Sequence, residues 1–511
     1  MYQRLRSFWQ SRDGTYAVAI AVTLPLLLGA IGFAIDIGTM SKAKRQLQDS
    51  LDAAILAASR IDDDADSRQK VFSDYFAANL ADRSHFKTVE ARLSIDRGLN
   101  YITTTATAKG EVDLNFAFVF GGGRYVSAQN KAFESTNKLE VALVLDNTGS
   151  MGDARMKSLR SAATALVDIL ATAQTHEREV RAALVPFVTA VNVKGAEFKD
   201  SWIDRDAKAA YHGANFALEG GKRVNHLDLF ERLGQTWKGC VEARPSPYNL
   251  NDAPPDNAVP DTLFVPYFAP DEPGTAKVSG DKGDKFNNSY LDETTSGSQL
   301  DQQRSTGKYN KTTYNKIDNV GPLTNGPNYA CPTPIQPLTD DMAALKAEIA
   351  KMIYWNGSGT NVAEGLAWGM RVLSPEEPYT GGSPFKQEDV SKVVVVFTDG
   401  ENNVFGASSE GINKSDYGSY SFVDQGRMGS TNRNTALTNV NTYTLAVCTA
   451  LKAQDVRVFT VLLGADTAAN RTLYSKCASN PSDYYPTSDV STLEATFKKI
   501  GAAVASLQMT H

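Results

Sequence analysis

The stretch LeuGluValAlaLeuValLeuAsp (Leu139–Asp146) is apolar apart from Glu140 and its final aspartate. A run of this kind reads as a strand covered on both faces, as in a parallel sheet flanked by helices. LysValValValValPheThrAsp (Lys392–Asp399) repeats the pattern and again ends in aspartate. Further strands are expected at Val180–Val188 and Val456–Leu463, and helices at Met156–Thr172, Met342–Ile353, Val362–Val372, Thr438–Ala453 and Ser491–Ala505. Strands alternating with helices predict an α/β fold built on a doubly wound parallel sheet.

In such sheets ligands bind at the carboxyl edge, where Asp146 and Asp399 fall. After the first strand the order is Asp146-x-Thr148-x-Ser150, an acid and two hydroxyls at alternate positions. In extended chain, a spacing of two turns all three to one side. Gly149 permits a tight turn there. A third loop, GlySerGlyThrAsn (Gly357–Asn361), offers Thr360 just ahead of a helix. Carboxylate and hydroxyl oxygens are hard ligands that suit Mg²⁺ or Ca²⁺ rather than zinc. The competing reading is that these residues only cap helices and close turns.

Composition narrows the alternatives. With 52 basic and 58 acidic residues the net charge is −6, which offers no electrostatic footprint for nucleic acid. The five histidines (His85, His176, His212, His226, His511) are scattered, and no HExxH, Cys/His zinc cluster or GxxxxGK[ST] loop is present. At 511 residues the chain has room for roughly two to four domains.

Tyr16–Ile35 carries no charge, and its 20 residues make a helix of about 30 Å, one hydrocarbon core. It spans fully and runs directly into Asp36, which favours a retained anchor over a cleaved signal peptide. Arg4, Arg6 and Arg12 before it are balanced by Lys42, Lys44 and Arg45 after it, so flanking charge leaves the orientation open. Beyond it, Met40, Ala43, Leu47, Leu51, Ala54 and Ala58 form a helical apolar stripe. This face packs either on its own module or on neighbouring subunits. A polar run (Asp62–Asp66), a second helix (Gln69–Ala81) and strands at Val89–Ile95, Tyr101–Ala108 and Val112–Phe120 complete a small α+β module. Four cysteines, none in a CxxC pair, could form two bridges in an exported domain, so residues 1–38 are read as cytoplasmic tail and anchor, 39–135 as stalk and module, and 136–511 as the α/β domain.

Asp146, Thr148, Ser150, Thr360 and Asp399 together resemble the metal ion-dependent adhesion site of von Willebrand factor A domains, with Thr148 in place of the first serine of Asp-x-Ser-x-Ser. The resemblance implies that Ser150, Thr148 and, in one state, Thr360 coordinate Mg²⁺ (or Mn²⁺ or Ca²⁺) directly. Asp146 and Asp399 would act largely through waters, and an acidic side chain of a partner protein would take the open position. The segment from Arg12 to Asp36 also resembles the N-terminus of bacterial TadE/TadG-like pilus assembly proteins, which join such an anchor to a C-terminal A domain. No Glu stands at the usual prepilin position. This resemblance implies a single-pass inner-membrane protein, N-terminus cytoplasmic and C-terminal domain periplasmic, acting in tight-adherence (Flp) pilus assembly. The expected role is non-enzymatic scaffolding or adhesion, since no nucleophile–base pair is readable. A pilin-like structural subunit is the alternative, and a metal-dependent enzyme a more distant one.

Two long interruptions divide the α/β domain, at about residues 194–338 and 403–434. The first is far beyond ordinary loop length and reads as an inserted subdomain or functional loop, whose aromatics form either its own core or a partner surface. Within it, Asp281–Asn288 has some calcium-loop character but lacks EF-hand spacing and reads as a solvated loop. Cys240 and Cys331 both lie in that insertion, while Cys448 and Cys477 flank the late strand. In an exported domain the expected bridges are Cys240–Cys331 and Cys448–Cys477, one of three possible pairings.

Overall fold

The protein is described by a computed structural model covering residues 13–59, 61, 65–80, 82–97, 101–114, 116, 125–135, 137–175, 178–274, 286–293, 296–310, 317–318, 321–322, 324–404, 406 and 411–505. It divides into two compact units, residues 1–136 with 175–177, and residues 137–174 with 178–511.

In the first unit a single helix runs from Asp13 to Ser59. Between Val18 and Ile37 its large apolar side chains are exposed, and the helix is long and apolar enough to cross a membrane. Farther along, Ala43, Leu47, Leu51, Ala54 and Ala58 are buried against Phe72 and Phe76 of the helix Ala65–Asn79 and against a three-stranded antiparallel sheet. The stripe is therefore consumed within its own module. That sheet is β1 (Phe86–Arg97), β2 (Tyr101–Val112) and β3 (Tyr125–Ser135), in the order β1-β2-β3. The strand expected at Val112–Phe120 is not found: β2 ends at Val112, Asp113 and Leu114 are not in a strand, and residues 115 and 117–120 lie outside the described residues. The third strand is instead Tyr125–Ser135, whose inward positions Val126 and Ala128 are small enough to sit beneath the long helix.

The second unit is built on β4 (Lys138–Asp146), β5 (Val180–Phe187), β10 (Val390–Thr398), β12 (Val456–Leu463) and β13 (Tyr484–Thr487). These run parallel in the order β13-β12-β10-β4-β5. Side-chain alternation splits each strand between two cores. Val141, Leu143, Leu145, Val393 and Val395 face the helices Gly152–Ala173, Met342–Lys351 and Leu493–Ala505. Ala142, Val144, Val394 and Val396 face the opposite layer, with the helices Val362–Leu373, Arg433–Ala453 and Ala468–Cys477. Burial on both faces is why these strands are continuously apolar. The fold is thus α/β and doubly wound. The helix Ala468–Cys477 and β13 are additions to the elements read from the sequence.

Both interruptions leave from the edge that carries Asp146, because Asp146 pairs in register with Phe187 at the end of β5 and Asp399 directly follows β10. The longer one extends the sheet antiparallel through β6 (Val191–Asn192) and β7 (Cys240–Val241), and returns as β8 (Gln336–Thr339) beside β5. Its aromatics Trp202, Phe264, Tyr267, Phe268, Tyr290 and Tyr309 are buried, so they form core rather than partner surface. Cys240 is bonded to Cys331 and Cys448 to Cys477, with Cα separations of 5.7 and 5.1 Å. Of the segment Asp281–Asn288, residues 281–285 lie outside the described residues. Asn287 and Asn288 are buried, and their backbone N–H groups donate to Glu272 Oε2.

Candidate metal centre

The centre begins where β4 stops. Asp146 is fully buried, and both its oxygens are held: Oδ1 accepts from the Thr148 backbone N–H at 2.8 Å, and Oδ2 accepts from Thr398 Oγ1 at 2.7 Å. Thr148 Oγ1 and Ser150 Oγ lie 3.0 Å apart, and Ser150 Oγ donates to Asp399 Oδ1 at 2.7 Å. Alternate spacing has thus put two hydroxyls in line between two carboxylates. A Cβ at Gly149 would lie 2.3 Å from Asn356 Oδ1, so only glycine lets the turn approach the third loop this closely.

That third loop is clamped onto the first. Trp355 N–H donates to the Asn147 carbonyl at 2.8 Å, and Asn147 Nδ2 donates to the Ile353 carbonyl at 2.9 Å. Thr360 follows in β9 (Gly359–Thr360), which pairs antiparallel with β11 (Asn403–Val404) and sets Thr360 opposite Asn403. The next residues are fixed as well: Asn361 N–H donates to the Val188 carbonyl, and Val362 N–H to Asn402 Oδ1. Thr360 is thereby carried by backbone pairing to the loop that follows Asp399. Among the described residues, its side chain makes no hydrogen bond to the other four. It lines a cavity of about 30 Å³ together with Thr189, Ser358 and Asp416.

Two partners of the site were not read from the sequence. Thr398, one residue before Asp399, bonds to Asp146 as described. Arg155, in the first turns of the helix Gly152–Ala173, places Nη1 2.5 Å from Asp399 Oδ2 and 3.5 Å from the Ser150 carbonyl. The available signal was spacing, because a basic residue one helical turn into this helix can fold back over the loop that precedes it.

Burial, and then the Asp399 carboxylate, push the Asp146 carboxyl up to about 7, against the hydrogen bonds from Thr148 and Thr398. Two carboxylates at a buried edge therefore resist carrying charge together unless a cation joins them. The donor set is carboxylate and hydroxyl oxygen only, and among the described residues no cluster of three or more His, Cys, Asp or Glu occurs. This chemistry fits a hard divalent ion and not a soft one.

Residues 14–65 match the family described as putative Flp pilus-assembly TadE/G-like. No curated protein matches the chain. Among solved structures, the chain is similar to the pilus adhesin SpaC from Lactobacillus rhamnosus GG, at 12% identity and a TM-score of 0.32, covering 82% of this chain and 34% of that one. It is similar to the vWF domain of the type V pili tip protein Mfa5 from Porphyromonas gingivalis, at 11% identity and a TM-score of 0.33, covering 73% of this chain and 98% of that one. A third is proximal thread matrix protein 1 from the mussel byssus with a zinc-occupied MIDAS motif, at 12% identity and a TM-score of 0.30, covering 72% and 48%.

Proposed function

We propose that this chain is a membrane-anchored scaffolding or adhesion protein of a Flp-type pilus assembly system. Its α/β unit, read as a von Willebrand factor A-type domain, docks an acidic side chain of a protein partner through a divalent ion. The observation that carries the reading is the line Asp146–Thr148–Ser150–Asp399 at the carboxyl edge of the sheet, in a chain whose residues 14–65 are TadE/G-like. Thr148, Ser150 and Thr360 would hold Mg²⁺, Mn²⁺ or Ca²⁺, with Asp146 and Asp399 behind them. When bound, the ion would supply a positive coordination position for a carboxylate, since hydroxyl ligands leave its charge largely uncompensated. The role is docking rather than catalysis.

The apolar helix is read as a retained inner-membrane anchor, with a cytoplasmic N-terminus and everything beyond about Met40 in the periplasm, where the two disulfides are at home. An alkaline phosphatase fusion after Ser135 should be active. Membranes solubilised in Mg²⁺ should yield the protein with another component of the assembly machinery, and EDTA or Asp399→Ala should release it. Co-purification that survives both treatments would overturn the docking reading. Recovery of the protein in purified fibres would favour the pilin-like alternative.

A further inference from the structure

The cation that Asp399 already has is part of the chain. Ser150 Oγ takes one oxygen of the carboxylate, and Arg155 Nη1 takes the other at 2.5 Å. The Asp399 side chain is 1% exposed, whereas that of Arg155 is 42% exposed, so the guanidinium reaches in from the rim. Across the site the chain passes as bare backbone at Gly464, where a Cβ would stand 4.0 Å from Arg155 Nη2.

We infer that Arg155 is the resident counter-ion of the site, and that a divalent ion binds only by displacing its guanidinium from Asp399. This rests on the metal reading proposed above. Guanidinium groups are permanently charged, so proton loss cannot remove this competitor. An arriving dication on the hydroxyls and the guanidinium on Asp399 would stand on either side of one carboxylate in a partly buried setting, where like charges are poorly screened. Arg155 is held by two contacts and has solvent beside it, so it can leave without opening the core. In the ion-free state it does what the metal would do later: it compensates the carboxylates and keeps the loops of Ser150 and Asp399 together. The chain thus exchanges one cation for another at Asp399, and its affinity for metal is set below what the oxygen ligands alone would give.

The test uses full-length protein in detergent, titrated with Mn²⁺ by calorimetry and melted in EDTA, as wild type, Arg155→Gln and Arg155→Lys. Arg155→Gln should bind Mn²⁺ about ten- to hundredfold more tightly, the loss expected when a hydrogen bond to a charged group is removed from the ion-free state. It should also melt earlier than wild type in EDTA and recover in Mn²⁺. Arg155→Lys, which keeps the charge, should stay near wild-type affinity. If wild type binds Mn²⁺ and Arg155→Gln binds it equally or more weakly, the exchange is refuted while the metal reading stands. If neither protein gives saturable heat, both fall together.

Discussion

Two of the larger unit's buried polar networks differ in kind, one centred on the insertion and one at the sheet edge. In the insertion, Asp204 Oδ2 lies 2.8 Å from His212 Nδ1, His212 Nε2 accepts from the His226 N–H at 2.9 Å, and His226 Nδ1 donates to the Pro266 carbonyl at 2.7 Å. Glu242 is met by the buried Tyr417 and by Arg427, whose side chain is almost wholly enclosed. Each ring nitrogen and each oxygen of Asp204 has a partner inside the protein. At the sheet edge the bonds instead run hydroxyl to hydroxyl to carboxylate, and the neutralising arginine comes from the rim. Burial of charge therefore does not mark a site. What marks it is charge compensation that can be exchanged, with oxygen ligands at a strand end.

The largest expected effect separates the two. Glu242→Ala leaves the enclosed Arg427 side chain without its carboxylate and should cost about 3–5 kcal/mol in denaturant melts. Metal affinity of the folded fraction should be unchanged, and loss of metal binding at intact stability would show that the two networks are not separate. Paired Cys240→Ala and Cys331→Ala should cost about 2–5 kcal/mol, because that bond closes a long segment of irregular chain. Gly149→Ala should cost less in stability, about 1–3 kcal/mol, as its Cβ drives into Asn356. Its main effect should be weaker metal binding, since the third loop is pushed from the first; unchanged affinity would show that this loop is not part of the site.

Acid and base should act oppositely on the two networks in metal-free protein. Burial raises the Asp204 carboxyl, but the His212 hydrogen bond and the Ala209 and Lys208 N–H groups prevail and hold it at about 2. Its contribution is complete above the unfolded value of about 3.9 and is lost as pH falls toward 2. His226, held well below its usual value by burial and then by His212, loses stability as pH drops below about 6.5, where the unfolded imidazole takes a proton. Asp146 is raised, so its contribution is present below about pH 3.9 and fades as pH climbs through about 7. Urea melts in EDTA should therefore show a decline between about pH 4 and pH 7 that Asp146→Asn removes; the same decline in the variant would place its origin elsewhere.

The central strands were legible in the sequence because burial on both faces leaves no polar alternation to misread, and Asp146 and Asp399 stood at their ends. The module's third strand was missed because its apolar positions, Val126 and Ala128, are small and sparse. The more apolar PheAlaPheValPhe (116–120) drew the assignment instead. The helix Ala468–Cys477 escaped because only one side of it is buried, chiefly Leu473, Tyr474 and Cys477. At the site, the residues at alternate spacing were readable, but the placement of Thr360 depends on β9 pairing with β11, and the position of Arg155 on a helix folding back over its own loop. The first is a tertiary relation that no local pattern carries; the second was signalled only by spacing, a basic residue one turn into the helix.

The central claim is that the oxygen cluster at this sheet edge binds a divalent ion. Calorimetric titration of the full-length protein with Mg²⁺ and Mn²⁺ tests it most directly, alongside Asp146→Ala and Asp399→Ala. Wild type should show a single saturable site, absent from both variants while their far-UV circular dichroism stays native. Equal binding by wild type and both variants, or none by any of them, would contradict it.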